Sequence, residues 1–164
     1  IIIIYNMTNL QTDDIRYIGV DDLDIDLFES QYTVPEGMSY NSWVIIDDKI
    51  AIMDTADGRK EREWTENLVN ALNGRTPDYL VCQHMEPDHS ALIGKTMQQY
   101  PALTLVCSKQ TVKMLAYYFS LLYTIRCIIM VHYYGIYDIM SLKIKAQLYF
   151  HSTNTSWNCF RNLL

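Results

Sequence analysis

The sequence is short of the residues that interrupt regular structure, and short of positive charge. With 6 glycines and 4 prolines in 164 residues, it falls outside the collagen-like and Pro/Gly-rich low-complexity classes. Lys and Arg together number 13 against 19 Asp and Glu, a formal net charge of -6. Binding a phosphate backbone requires a basic cluster, and the absence of one argues against a nucleic-acid partner. The 4 cysteines, Cys82, Cys107, Cys127 and Cys159, contain no C-x-x-C pair. Two of them sit in apolar strand-like runs, so they read as buried, reduced thiols of a cytoplasmic protein. Long apolar runs are missing too. Residues 1–4 are too few for a signal segment or a membrane span, and Arg126 interrupts the apolar stretch at 115–134, so no membrane association is expected.

The acids are distributed unevenly. All of them except Asp138 lie at or before Asp88, and no proline follows Pro101. Two kinds of sequence meet near residues 119–122. Residues 1–119 read as one unit and residues 120–164 as a divergent tail, rich in Ile, Tyr and Leu, in which 127–137 is strongly β-prone. An abrupt change of this kind fits a frameshifted or degenerate continuation.

What is present describes an ordinary globular chain: 49% hydrophobic and 20% charged residues, a length suited to one domain with a real core. Residues 14–20 and 26–32 read as short strands, Pro35-Glu36-Gly37 as a turn, and residues 40–46 and 50–53 as a hairpin turning at Asp47-Asp48. Residues 59–73 carry Trp64, Leu68 and Leu72 at four-residue spacing with Gly74 behind them, which predicts an amphipathic helix with a glycine C-cap. Strands at 78–83 and 103–107 then alternate with helices at 90–99 and 109–119. Antiparallel strands followed by alternating strands and helices make an α/β fold.

The chemistry is concentrated in Gln83-His84-Met85-Glu86-Pro87-Asp88-His89-Ser90, where four metal-capable side chains fall within six residues between a strand and a helix. Such junctions are where scaffolds mount catalytic groups. His84 and Glu86, two apart on an extended loop, can share one ion, while Asp88 and His89 on the turn entering the helix can reach a second. Two imidazoles and two carboxylates suit Fe or Mn as well as Zn. An alternative reading has Asp88 or Ser90 capping the helix and His84 as a satisfied core histidine.

The H-x-[EH]-x-D-H pattern after a strand resembles the signature of the metallo-β-lactamase superfamily, and the version with Glu in third place resembles that of the flavodiiron proteins. DDLDIDLFE at 21–29, VPEGMSYNSWVII at 34–46, IMDT at 52–55 and GRTPDYLVCQHMEPDHS at 74–90 are similar to the opening of flavodiiron proteins from anaerobic bacteria, over about residues 14–119 in all. The resemblance implies the first half of a metallo-β-lactamase-like αββα sandwich. It implies an oxidoreductase reducing O2 to water or NO to N2O at a non-haem diiron centre, with electrons from FMN in a C-terminal flavodoxin-like domain. It further implies a rubredoxin-like donor and a head-to-tail homodimer. Carried over, His84 and Glu86 would bind the iron nearer the flavin, and Asp88 and His89 the other. Glu86 in place of a second His adds negative charge, favouring harder, more oxidised metal over zinc and redox chemistry over hydrolysis.

The chain departs from that pattern downstream. A third His in an H-W-P-E context, a bridging Asp, a last His and the flavin domain have no clear counterparts. His132 comes too early, His151 has the wrong context, and one alignment leaves Ser156-Trp157 where His-Trp is expected. Asp138 precedes any bridging position. Three readings therefore stand open at this point: a flavodiiron oxidoreductase fragment, a metal-dependent hydrolase of the metallo-β-lactamase superfamily, and a catalytically inactive fragment.

Overall fold

A computed structural model describes residues 13–119 and 127–129 of the chain. Its centre is a mixed six-stranded sheet. β1 (Ile15–Tyr17) pairs antiparallel with β6 (Trp43–Ile46), which pairs antiparallel with β7 (Ile50–Met53); β8 (Tyr79–Cys82), β9 (Thr104–Cys107) and β10 (Cys127–Ile129) follow in parallel. The hairpin and the parallel crossovers are those the alternation in the sequence implies. Val44, Ile52, Leu80 and Leu105, each 0% exposed, point to one face of the sheet. Helix α1 (Glu61–Leu72) lays Trp64, Leu68 and Leu72 into the same cluster. Burying each such aliphatic side chain contributes roughly 1.5–3 kcal/mol. Trp43, Ile45, Met53, Val81 and Val106 occupy the opposite face and are also buried, so the central strands read as continuous apolar runs rather than alternating ones.

The strands read at 14–20 and 26–32 are each divided. The first becomes β1 and β2 (Val20–Asp22), separated at Ile18-Gly19. Gly19 is required there, because a Cβ would stand 2.3 Å from the Tyr17 hydroxyl oxygen and 2.5 Å from the Tyr40 carbonyl oxygen. The second is a small ribbon, β3 (Leu27–Phe28) and β4 (Tyr32–Thr33), closed by Glu29 and Ser30 at positive φ. β2 pairs with β5 (Met38–Tyr40) in a second ribbon.

The helix read at 59–73 opens with a 3-10 turn at Gly58–Lys60 and ends with Asn73 in the left-handed C-cap position, followed by Gly74 at φ 81°. Arg16 Nη1 donates to the carbonyl of Ala71 at 2.6 Å, satisfying one of the last orphan carbonyls of α1. The helix read at 90–99 divides into α2 (Pro87–Ser90) and α3 (Ile93–Gln99). α4 (Lys109–Phe119) follows β9. Among the described residues no helix is long and apolar enough to cross a membrane.

Candidate metal centre

β8 delivers the motif to the end of the sheet. Its Leu80, Val81 and Cys82 are buried between β7 and β9, and the strand stops where Gln83 turns its backbone N–H to the Asp54 carboxylate, Oδ1 at 2.7 Å. Pro87 begins α2, with Glu86 before it in an extended conformation (φ -65°, ψ 149°). A residue before proline is held extended, and proline is tolerated at the first helical position, so this loop-to-helix change is written locally. Asp88 and His89 consequently lie on the first helical turn. No side chain caps α2; the Ser90 hydroxyl instead faces the carbonyls of Met85 (3.0 Å) and Glu86 (2.9 Å). The capping role considered for Asp88 or Ser90 is not the one these side chains take.

The four donors come together as two pairs. His84 Nε2 lies 3.0 Å from Glu86 Oε1, with both side chains nearly half-exposed. His84 Nδ1 accepts the Met85 N–H at 3.1 Å. His89 Nε2 lies 3.4 Å from Asp88 Oδ2. The two imidazole centroids are 5.5 Å apart. Among the described residues no three His, Cys, Asp or Glu side chains converge on a single point. The inner pair is the more enclosed. Asp88 Oδ1 is buried with no hydrogen-bond partner, and burial raises its carboxyl above the ordinary range, with His89 opposing and Glu86 adding to the rise. His89 is also raised: burial disfavours its charge, but the hydrogen bond and charge of Asp54, then Asp88 and Glu86, outweigh it.

Asp54 is the site residue that motif reading did not single out. It closes β7 with φ 57°, a left-handed conformation that costs a non-glycine residue about 1–3 kcal/mol unless its surroundings enforce it. They do so from several sides. Its N–H donates to the Val81 carbonyl at 2.8 Å and its carbonyl accepts the Ser42 hydroxyl at 3.0 Å. Its Oδ2 stands 3.1 Å from both Gln83 Nε2 and His89 Nδ1. Thr55, fully buried, donates its N–H (2.8 Å) and its hydroxyl (2.9 Å) to the His89 carbonyl, and that hydroxyl oxygen accepts the Leu92 N–H at 3.3 Å. The available signal was an acid ending the wholly apolar strand IAIM, since a carboxylate there must find partners.

Cys82 is buried, its thiol pushed up to about 12 by burial and by Asp54. It faces the His84 carbonyl at 3.1 Å and stays a thiol at neutral pH. Cys107 is likewise buried. His132, Asp138, His151, Ser156 and Cys159 lie outside the described residues.

The donor set fits a metal on three counts. A buried carboxylate oxygen lacks a partner, nitrogen and oxygen donors are paired, and the second ring nitrogen of His89 is held by a carboxylate, as metal-ligating histidines usually are.

A mixed sheet flanked by helices, with a loop carrying two histidines and two carboxylates at its strand-to-helix end, has the fold of a metallo-β-lactamase-like domain. The flavodiiron protein of Giardia intestinalis matches this fold at a TM-score of 0.69 and 22% identity, over 77% of this chain and 30% of that one. In sequence, the diflavin flavoprotein A 1 of Nostoc sp. is 34% identical over 94 residues, covering 57% of this chain and 16% of its own length. The anaerobic nitric oxide reductase flavorubredoxin of Pectobacterium atrosepticum is 31% identical over 103 residues, 62% of this chain and 20% of its own. No protein-family model matches the chain. The chain is thus similar in sequence to these flavoproteins over 57% to 62% of its length and in fold to a flavodiiron protein, and it spans between 16% and 20% of the length of these two curated relatives.

Proposed function

We propose that this chain carries the first metal-ligand cluster of a flavodiiron oxidoreductase, with His84 and Glu86 serving one iron and Asp88 and His89 the other. When bound, the iron pair would supply the redox chemistry that reduces O2 to water or NO to N2O, with electrons arriving from FMN. The observation carrying the reading is the inner pair: His89 is held by Asp54 through Nδ1, so its Nε2 is presented toward Asp88, whose Oδ1 is buried and unpartnered. With Asp54 accepting from Nδ1, a neutral His89 would present its lone pair at Nε2. Thr55 holds the main chain of the same residue. His84 and Glu86, more exposed, adjust by side-chain rotation, and His84 gives up its bond from the Met85 N–H if Nε2 becomes the ligating atom.

The flavodoxin-like domain, the rubredoxin-like donor and head-to-tail homodimerisation belong to the same proposal. So does the division into a domain of residues 1–119 and a divergent tail of 120–164. No feature of the site favours the hydrolase reading.

The test is elemental analysis of the full chain after anaerobic loading with Fe(II), with His84→Ala and Glu86→Ala as controls and circular dichroism to confirm folding. Near-stoichiometric iron that disappears in the controls is expected. A folded wild-type chain that retains no iron would overturn the proposal.

A further inference from the structure

A second charged cluster lies away from the four donors. Asp22, at the end of β2, is 0% exposed. One of its oxygens accepts the Tyr40 hydroxyl and Arg59 Nε, both at 2.9 Å, and the other accepts the Asp24 N–H at 3.2 Å and lies 3.4 Å from Lys60 Nζ. A buried carboxylate with this many donors stays charged. Burial alone would raise it, yet Arg59, Tyr40, the Asp24 N–H and Lys60 together hold it below the ordinary range. None of these groups is in the donor set.

Arg59 and Lys60 end a short segment that begins with Asp54 and Thr55. Between them Ala56 is 0% exposed, and Asp57 stiffens the turn by accepting the Arg59 N–H at 2.9 Å with its side chain and the Lys60 N–H at 3.1 Å with its carbonyl. The segment is therefore fastened at both ends: to the metal loop through Asp54 and Thr55, and to the β2/β5 ribbon through Asp22. Asp54 sits in a left-handed conformation that persists only while the chain on both sides is held. Were its downstream flank released, relaxation toward the extended region would swing the carboxylate away from His89.

We propose that Asp22 is a positioning residue for the metal loop, acting through Arg59 and Lys60 on the segment that carries Asp54 and Thr55. The proposal rests on the metal-site reading above, and the experiment separates the two. In the full, metal-free chain, the imidazole of His89, assigned with His89→Gln, is followed by nitrogen-15 NMR for an Nδ1 proton held against Asp54, expected to exchange slowly in wild type. In Asp22→Asn, and in Arg59→Gln, where the substituted side chain is half-exposed and folding is less at risk, that proton should exchange rapidly. Cobalt(II) titration should show about tenfold weaker binding for Asp22→Asn, the lower end for residues that orient metal ligands. No further loss is expected when Asp22→Asn is added to Asp54→Asn, because both act along one path. An unchanged His89 signal in folded variants, or additive losses in the double variant, would overturn the proposal. If wild type binds no cobalt, the metal reading falls and the His89 signal alone decides the role of Asp22.

Discussion

At Asp54 a backbone conformation and a chemical role depend on each other. The left-handed turn places its carboxylate where Gln83 and His89 can both donate, and those bonds help keep the turn. Thr55 shares the task, so Thr55→Val, nearly the same shape, should strip the Leu92 N–H and the His89 carbonyl of one partner each. A buried group left unsatisfied costs about 1–3 kcal/mol, and urea unfolding should register a lower midpoint with an unchanged slope. Asp22 gives a pH dependence. Its carboxyl is lowered in the fold from the ordinary 3.8, so its contribution is fully present above about pH 4 and lost as pH falls through the lower folded value. Asp22→Asn should therefore be less stable at neutral pH yet show a shallower fall in stability with acid below pH ~4, read from urea midpoints across pH. His84, Glu86, Asp88 and His89 stood out as candidates because they crowd into one motif. Asp54 was not, since its partners stand some thirty residues away and its positive φ leaves no mark on a non-glycine residue.

The secondary elements divide the same way between local and distant causes. α1 was readable because Trp64, Leu68 and Leu72 repeat at helical spacing and all three are buried. Trp64→Ala should cost about 3–5 kcal/mol, the usual result of emptying a large core site, and thermal unfolding would measure it. The breaks were less readable. Ile18-Gly19 looks like a continuing strand until the crossing of Tyr17 and Tyr40 is seen to leave no room for a Cβ. Gly19→Ala should accordingly destabilise by about 1–3 kcal/mol through overpacking, despite the higher β-strand cost of glycine. The split of the helix read at 90–99 into α2 and α3 has a similar origin. Thr55, distant in sequence, takes the Leu92 N–H at the break between them, and no local pattern announces it.

Across the whole molecule, order should follow position in the sheet. The central strands β6 to β9 bury both faces, whereas the β3/β4 ribbon has two residues per strand and exposes Leu27 (43%) and Tyr32 (57%). Two-stranded ribbons are marginal by themselves. Amide hydrogen exchange should find the strongest protection at Ile52, Leu80 and Leu105 and rapid exchange over residues 27–33; equal protection of ribbon and centre would contradict this gradient. The placement of the donors has a consequence for how an ion would select among states of the chain. All four lie within six consecutive residues, so an unfolded chain keeps them together and can compete for the same ion. What unfolding removes is the pairing of β7 with β8 and, with it, the grip of Asp54 on His89. An ion that binds both states stabilises the fold only by the ratio of its two affinities. The thermal shift on loading should fall short of what the folded affinity alone suggests, and the shift itself should shrink when Asp54 is removed, because only the folded affinity drops.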